Sequence, residues 1–162
     1  MKKKYPEQKF LVSRSCNINK KIYEKYFLNK KNVSIITNEN IYETIDMCKI
    51  AVAASGTITL QIALKKIPMC VFYKISSSTF FIIKFLVKIK FISLVNIVLG
   101  KKIVEEFVQN NASVSNIQNE IEKINFDSDY RQSLIKNISS IEKVLLNNSS
   151  KTNICQLIEK LL

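Results

Sequence analysis

The sequence predicts an α/β fold with a parallel sheet followed by a helical C-terminal extension. From residue 9 to residue 74, short apolar segments alternate with segments of helical spacing. From residue 110 onward the apolar residues keep the helical period. Strands that alternate with helices are typical of a parallel sheet, because each parallel connection must cross back over the sheet. Hydrophobic residues make up 47% of the 162 residues, as expected of a chain with a packed core.

The first half contains the predicted strands and the helices that connect them. The strands are KFLVSRS, NVSIITN, IAVAAS and PMCVFYK, at residues 9–15, 32–38, 50–55 and 68–74. The helices are NINKKIYEKYFLNK, ENIYETIDMCKI and GTITLQIALKK, at residues 17–30, 39–50 and 56–66. This order predicts one parallel sheet of about four strands.

The pattern after residue 74 is mainly helical. Helices are predicted at residues 76–89, 101–111, 113–124, 127–146 and 151–162. The segment KFISLVNIVLG, at residues 90–100, is predicted to be extended or a loop. We assign residues 1–109 to the sheet domain and residues 110–162 to a helical C-terminal extension of the same domain.

The positive charge is concentrated in the middle of the chain. Of the net charge of +12, residues 51–102 contribute eight lysines and no acidic residue. Nucleic acid, an anionic membrane surface or a phosphorylated substrate would each complement such a segment. Nucleic acid fits worst, since Arg14 and Arg131 are the only arginines and no RNP, KH or helix-turn-helix pattern occurs. Lysines interrupt the apolar residues between Pro68 and Gly100, which favours a segment lying on a membrane over one spanning it.

The absence of histidine removes several kinds of catalytic and metal site. Without histidine the chain has neither Ser-His-Asp nor Cys-His machinery, nor a Cys/His zinc site. The cysteines lie far apart and form no CxxC motif, which favours free thiols in a reducing compartment. We assign no metal-binding residue and no cofactor. The cysteines are Cys16, Cys48, Cys70 and Cys155.

Gly56 and Gly100 are the only glycines, and Gly56 lies between a predicted strand and a predicted helix. Ser55 is a suitable N-cap for that helix, and Thr57 follows in its first turn. A glycine there lets another group approach the backbone, and the helix start favours an anion such as a nucleotide diphosphate. This position is at the carboxyl ends of parallel strands, where ligands bind. The alternative is a tight turn without a ligand, and the SGT motif alone favours this alternative, because short glycine motifs are weak signals.

A longer stretch, residues 53–109, resembles the lipid-A-disaccharide synthase family. AASGTITLQIALKKIPMCVFYK follows the family's Ala-Ser-Gly-Thr turn, leucine-rich helix and Pro-Met-Val-Val-x-Tyr-Lys/Arg strand. An apolar Leu-Val-Lys segment comes next. SLVNIVLGK then takes the place of the family's Ser-Leu-Pro-Asn-Leu-Leu-Ala-Gly-Arg loop, and EEFVQ that of its Pro-Glu-Leu-Leu-Gln helix. Matching order and spacing over this length are far more specific than one motif.

The resemblance implies a GT-B glycosyltransferase with two facing Rossmann-like halves. The C-terminal half of that family holds the UDP of the donor, UDP-2,3-diacylglucosamine. The acceptor is 2,3-diacylglucosamine 1-phosphate, and the products are a β-1,6-linked disaccharide and UDP. The resemblance also implies a peripheral enzyme on the anionic surface of the bacterial inner membrane, at its cytoplasmic face. Residues 1–109 would then form a partial UDP-sugar-binding Rossmann-like domain.

The resemblance covers only the donor-binding half of the family, which implies a fragment. The N-terminal half, with the presumed catalytic carboxylate, has no counterpart here, and neither has the first strand of the donor half with its Pro-Gly-Ser-Arg turn. Arg14 follows a different strand and is not the arginine of that turn. We therefore assign no catalytic residue, and expect a chain that is inactive alone and works with a companion chain or as a homo-oligomer. The alternative is a non-catalytic basic module for a membrane surface or a partner.

The resemblance also implies a set of donor-binding residues. Ser55, Gly56 and Thr57 would face the UDP phosphates, and Tyr73 and Lys74 would end the next strand near the same cleft. The remaining candidates match the ribose position, the loop and the following helix: Gln61, Asn96, Gly100, Lys101, Glu106 and Gln109. For these motif positions the alternative is structural, with loop residues shaping the loop and helix residues capping or bracing it.

Several positions depart from the family pattern. Gln61 replaces a glutamate that, in related two-Rossmann glycosyltransferases, holds the ribose hydroxyls, so a charge-assisted hydrogen bond is lost. Lys101 replaces an arginine, which keeps the charge but loses the bidentate fork. Val95 and Glu105 replace prolines of the loop and of the helix. These changes indicate either relaxed selection or an altered donor.

Overall fold

A computed structural model of the chain describes residues 7–15, 17–27, 30–37, 41–76 and 90–147. The described strands and helices form an α/β structure in which all strand pairs are parallel, so the predicted fold class is confirmed. The chain divides into two compact units, Met1–Cys48 and Lys49–Leu162. The proposed boundary between residues 109 and 110 stays a prediction.

The first unit contains the first four predicted elements. They are β1 at Phe10–Arg14, α1 at Lys20–Phe27, β2 at Val33–Thr37 and α2 at Ile41–Asp46. Strands β1 and β2 pair in parallel from Phe10 opposite Val33 to Arg14 opposite Thr37. The connection into α1 is held by Tyr23, whose hydroxyl accepts a hydrogen bond from the backbone N–H of Ser15 at 3.2 Å.

The second unit carries a three-stranded parallel sheet in the order β3-β4-β5. Its strands are β3 at Ala51–Ala54, β4 at Met69–Tyr73 and β5 at Glu105–Val108. Its helices are α3 at Ile58–Leu64, α4 at Leu94–Leu99, α5 at Val114–Phe126 and α6 at Ser128–Asn147, with a 3₁₀ turn at Gln109–Asn111. Four strands in one sheet were predicted. The described residues instead form five strands, which are divided between two sheets.

Strand β5 corrects the helix predicted at residues 101–111. Glu105 and Glu106 favour a helix, but the segment pairs with β4, so that Glu106 lies opposite Val71 and Val108 opposite Tyr73. Parallel pairing satisfies the backbone of the segment, and this tertiary gain outweighs its weak local preference.

Helix α4 corrects the prediction that residues 90–100 are extended or a loop. The hydroxyl oxygen of Ser93 accepts a hydrogen bond from the N–H of Val95 at 3.2 Å and caps the helix. Gly100 ends it with a φ of 65°. The β-branched residues of this segment favour an extended conformation, but the Ser and Gly caps decide that it forms a helix.

The end of α3 directs the chain into β4. Lys66 has a φ of 57°, its N–H donates to the carbonyl of Ala63, and the N–H of Ile67 donates to the carbonyl of Ile62. These bonds form a Schellman motif, and the following Pro68 prevents the helix from continuing. Strand β4 therefore begins at Met69 with no further loop.

The core of the second unit lies on both faces of the sheet. Residues in register on parallel strands share a face, so Ala53, Val71 and Glu106 point to one side and Cys70 and Phe72 to the other. Helix α5 contacts β4 and β5, and α6 packs against α3, α4 and α5. The fully or almost fully buried side chains include Ile62, Ala63, Met69, Cys70, Val71, Val95, Val104, Ile124, Leu134, Ile138 and Ile141.

The helix predicted at residues 151–162 lies outside the described residues, and so does all but the first residue of the helix predicted at 76–89. Cys16 and Cys155 also lie outside them. The predicted helices at residues 113–124 and 127–146 are confirmed as α5 and α6. Within the described ranges, no helix combines the length and the hydropathy that crossing a membrane requires.

Two groups, the buried Cys70 thiol on β4 and the half-buried Tyr130 hydroxyl on α6, keep their protons unusually strongly. Burial, and then the negative charge of Glu120, raises the pKa of the Cys70 thiol from 9.0 to about 12. Burial also raises the pKa of Tyr130 above its ordinary 10.0, aided by a 2.6 Å hydrogen bond to the Glu120 carboxylate. Both groups bind a proton more tightly in the folded chain, so they favour folding at neutral pH and this contribution is lost as the pH rises.

We therefore expect the free energy of unfolding to fall as the pH rises from about 9 toward 12, by up to about 1.4 kcal/mol per pH unit for Cys70. Cys70→Ala removes this thiol and should make the decline shallower, although the variant is less stable at pH 7. Urea unfolding of both proteins at several pH values measures the two slopes. Parallel curves for the two proteins would contradict the expectation.

Candidate functional site

Predicted site residues from three strands meet at the carboxyl edge of the second sheet. Ser55 follows β3, Tyr73 ends β4 and Lys74 follows it, and Gln109 follows β5. The N–H of Ser55 donates to the carbonyl of Phe72 at 3.0 Å, which extends the pairing of β3 with β4 by one residue. The carboxyl edge of a parallel sheet is where α/β proteins bind ligands.

The turn between β3 and α3 is held by side-chain hydrogen bonds other than the predicted helix cap. Thr57, and not Ser55, is the N-cap of α3, and its side chain makes no capping hydrogen bond. The Ser55 hydroxyl instead donates to the carbonyl of Ile92 at 2.8 Å. The buried Thr59 closes the turn, because its hydroxyl donates to the carbonyl of Gly56 at 2.7 Å. The predicted capping role of Ser55 is therefore wrong.

The two glycines have different structural reasons. Gly100 has a φ of 65°, a left-handed conformation that ends α4 and that side chains disfavour. Gly56 does not have a positive φ, and a Cβ added there would meet no heavy atom of the described residues within 4 Å. Neither the backbone conformation nor packing among these residues requires glycine at position 56. Among them, the space in front of this turn is open.

Asn96 is buried completely and uses its whole amide within the chain. Its Nδ2 donates to the carbonyl of Val104 at 2.9 Å and to Oε1 of Glu106 at 2.7 Å. Its Oδ1 accepts from the N–H groups of Ile103 and Val104 at 2.7 and 2.9 Å. Both donor hydrogens and both acceptor positions are engaged. Asn96 thus holds the connection from α4 into β5.

Glu106 lies on β5 rather than on the predicted helix, and its carboxylate holds the start of α4. Oε2 accepts from the N–H of Ile92 at 2.9 Å, and Oε1 accepts from the N–H of Ser93 at 2.8 Å as well as from Asn96. A carboxylate can accept all of these hydrogen bonds, and an ionised acceptor strengthens each of them. The backbone of this segment is thereby fixed against the sheet.

Gln109 ties the ends of β4 and β5 together. Its Oε1 accepts from the N–H of Ile75 at 3.0 Å, and its Nε2 donates to the carbonyl of the same residue at 3.0 Å. Gln109 has a φ of 51° and begins the 3₁₀ turn, so its predicted place on a helix is also wrong. The paired amide fixes the backbone just after Lys74.

The structure separates two predicted residues from this edge. Gly100 and Lys101 follow α4, in the connection that enters the amino end of β5. Gln61 lies half-buried on α3, while Lys74 and Lys101 are exposed. Contact of any of these residues with a donor stays a prediction.

Comparisons with known proteins decide the family. The family described as Lipid-A-disaccharide synthetase matches residues 1–159. The chain belongs to this family. The resemblance noted for residues 53–109 is therefore confirmed, and the match extends over nearly the whole sequence.

Individual relatives show how much of a family member the chain represents. It is 28% identical to the Lipid-A-disaccharide synthase of Syntrophotalea carbinolica over 161 residues, which are 99% of this chain and 41% of that protein. It is 35% identical to the Rickettsia felis protein of the same name, over 72% of this chain and 33% of the relative. It is 32% identical to the Coxiella burnetii protein of the same name, over 80% of this chain and 34% of the relative. The chain thus spans about a third to two fifths of the length of these curated relatives.

Sequence reasoning missed Ile92 and Ser93, the residues that connect the family motifs in space. Ile92 acts through its backbone, which leaves no trace in residue type. Ser93 had a detectable signal, because a serine before an apolar run that ends in glycine is typical of a capped helix.

The two glycines should respond differently to alanine. Gly100→Ala is expected to cost about 1 kcal/mol, because alanine is strained at a φ of 65°. Gly56→Ala should leave stability unchanged or raise it by about 0.5 kcal/mol, because it restricts only the unfolded chain. Urea denaturation of both variants tests this, and a loss at Gly56 equal to that at Gly100 would refute the distinction.

Removing the Asn96 amide should destabilise the protein strongly. Asn96→Ala leaves the buried N–H groups of Ile103 and Val104 without their acceptor, at an expected cost of about 2–4 kcal/mol. Asn137→Ala is the matched control, since that exposed amide bonds only to Ser133, and should cost less than about 0.5 kcal/mol. Equal melting temperatures for the two variants would count against the bracing role.

Proposed function

We propose that this chain supplies the UDP-sugar-binding part of a lipid-A-disaccharide synthase. The reaction joins UDP-2,3-diacylglucosamine to 2,3-diacylglucosamine 1-phosphate and releases UDP. The observation that carries the proposal is the family match over residues 1–159. Support comes from the position of Ser55, Tyr73, Lys74 and Gln109 at the carboxyl edge of the sheet, where ligands bind.

The turn at Gly56 is the proposed site for the UDP diphosphate. The backbone there has open space in front of it, so two phosphates can approach more closely than any side chain would permit. The exposed Lys74 follows the neighbouring strand and would add positive charge where negative charge develops on the leaving group. Lys101 would contribute only at longer range, because it follows α4.

The other motif residues have two kinds of proposed role. Gln61, on α3 beyond the turn, would hydrogen-bond the ribose, more weakly than the carboxylate that it replaces. Tyr73 would line the same cleft. Asn96 and Gln109 would act as braces, because their amides bond within the chain at distances of 2.7–3.0 Å.

The proposed reaction is a direct displacement at the anomeric carbon of the donor by the 6-hydroxyl of the acceptor, with inversion. The base would come from the part of the relatives' length that this chain does not span, and a companion chain would supply it. Purified alone, the chain is then expected to bind UDP without transferring the sugar. Measurable turnover by the pure chain would contradict this division of labour.

A position on the cytoplasmic face of the inner membrane is part of the proposal. Residues 51–102 carry eight lysines and no acidic residue, which complements the anionic lipids of such a surface. Binding would be electrostatic and therefore sensitive to salt.

Calorimetry with UDP tests the proposed site, with Gly56→Val as the decisive variant. We expect the chain to bind UDP and the variant to lose binding, since its side chain fills the open space while the backbone conformation stays permitted. Ala54→Val is the control, an exposed position on β3 whose enlargement suits a strand. Failure of the unmodified chain to bind UDP would refute the proposal.

Vesicle sedimentation tests the proposed location. The chain should pellet with vesicles that contain phosphatidylglycerol and remain in solution with phosphatidylcholine alone, because only the former carry negative charge. Binding should weaken as salt rises from about 0.1 M to 1 M, where the Debye length shortens from about 10 to 3 Å. Equal binding to both vesicle types would rule out an electrostatic attachment.

A further inference from the structure

We propose that Glu106 is a positioning residue that acts on the turn at Gly56 through Ile92 and Ser55. This inference rests on the proposed function, because it assigns a ligand-binding consequence to a contact that lies inside the chain. Glu106 itself touches no ligand in this account. It sets where the turn lies.

Ile92 links the two outer strands of the sheet. Its N–H donates to Oε2 of Glu106 on β5 at 2.9 Å, and its carbonyl accepts from the hydroxyl of Ser55, just after β3, at 2.8 Å. Strands β3 and β5 lie on opposite sides of β4 and share no ladder of their own. The hydrogen-bonded path from Glu106 through Ile92 to Ser55 therefore spans the sheet.

The Glu106 end of this path is held firmly. Oε1 accepts from the N–H of Ser93 at 2.8 Å and from Nδ2 of Asn96 at 2.7 Å, and both of these residues are fully buried. Oε2 is thereby aimed at Ile92. Only a carboxylate suits this position, because an amide would place its NH₂ against N–H groups that need an acceptor.

The Ser55 end is held at two atoms. Its N–H donates to Phe72 at 3.0 Å, and its only hydroxyl proton points at the carbonyl of Ile92. That proton is not available to a phosphate while the bond to Ile92 stands. Ser55 would thus serve the diphosphate by fixing the strand end before Gly56, and Glu106 by fixing Ser55.

A double-mutant cycle on ligand affinity separates this path from independent effects. Calorimetry on the full chain would compare UDP with uridine, which lacks the diphosphate, for Glu106→Gln, Ser55→Ala and the double variant. Each single change is expected to weaken UDP binding about tenfold and to change uridine binding less than about twofold. The double variant should bind UDP with about the affinity of the single variant that binds UDP less tightly, because both changes break the same path.

The matched control is Glu105→Gln, the same chemical change one residue earlier on β5. The Glu105 carboxylate pairs with exposed Lys102 at 2.7 Å. This variant should bind UDP and uridine like the unmodified chain.

Several outcomes would overturn the proposal. They are unchanged UDP affinity in Glu106→Gln, equal losses for UDP and uridine, and losses that multiply in the double variant. If Glu106→Gln does not fold, Ser55→Ala breaks the other end of the path. An equal loss of affinity for UDP and for uridine in that variant would also overturn the proposal.

Amide hydrogen exchange keeps this inference separate from the proposed function. Relative to Glu105→Gln, Glu106→Gln should accelerate exchange about tenfold at the N–H of Ser55, which donates to Phe72 on β4, and at the N–H of Thr59, which donates to Gly56 in the turn. Unchanged exchange overturns the positioning role whether or not UDP binds. An unmodified chain that binds no UDP refutes the proposed function, and exchange then decides the inference alone.

Discussion

The carboxylate of Glu106 is the constraint on which the second unit depends. A half-buried carboxylate in the middle of a strand is costly unless donors surround it, and here the N–H groups of Ile92 and Ser93 and the amide of Asn96 do so. This requirement fixes where α4 begins. Asn96 then carries the constraint into the connection that leads back to β5. One acidic side chain thus defines the path of the chain on that face of the sheet.

These contacts also account for which family motif positions the chain keeps. Four positions match the family, and each has a structural task within the chain. The Asn96 amide has all its hydrogen bonds made, and Gly100 ends a helix in a left-handed conformation. The Glu106 carboxylate accepts from three donors, and the Gln109 amide pairs with the backbone of Ile75. Departures occur elsewhere. Residue 95 is an apolar core position, and residues 101 and 105 have side chains that lie toward solvent or pair at the surface. Gln61 alone departs at the predicted ribose contact.

Gly56 differs from these positions, because none of the described residues explains it. Its φ is not positive, and no atom of the described part of the chain lies within 4 Å of an added Cβ. A glycine that neither folding nor packing demands, at the carboxyl edge of a parallel sheet, favours a role in binding. The UDP diphosphate is the ligand that we propose for this turn.

The sequence by itself determined the elements that have strong local patterns and the family. Helices α1, α2, α3, α5 and α6 follow from helical spacing, β1 to β4 follow from short apolar runs, and motif order over residues 53–109 identified the relatives. Tertiary structure alone decided that residues 105–108 form a strand, that the strands divide between two sheets and that Ser55 bonds to Ile92. Local patterns record what a segment can bury. They do not record the distant hydrogen-bond partners, such as the N–H of Ile92 for Glu106, that choose between two comparable backbone states.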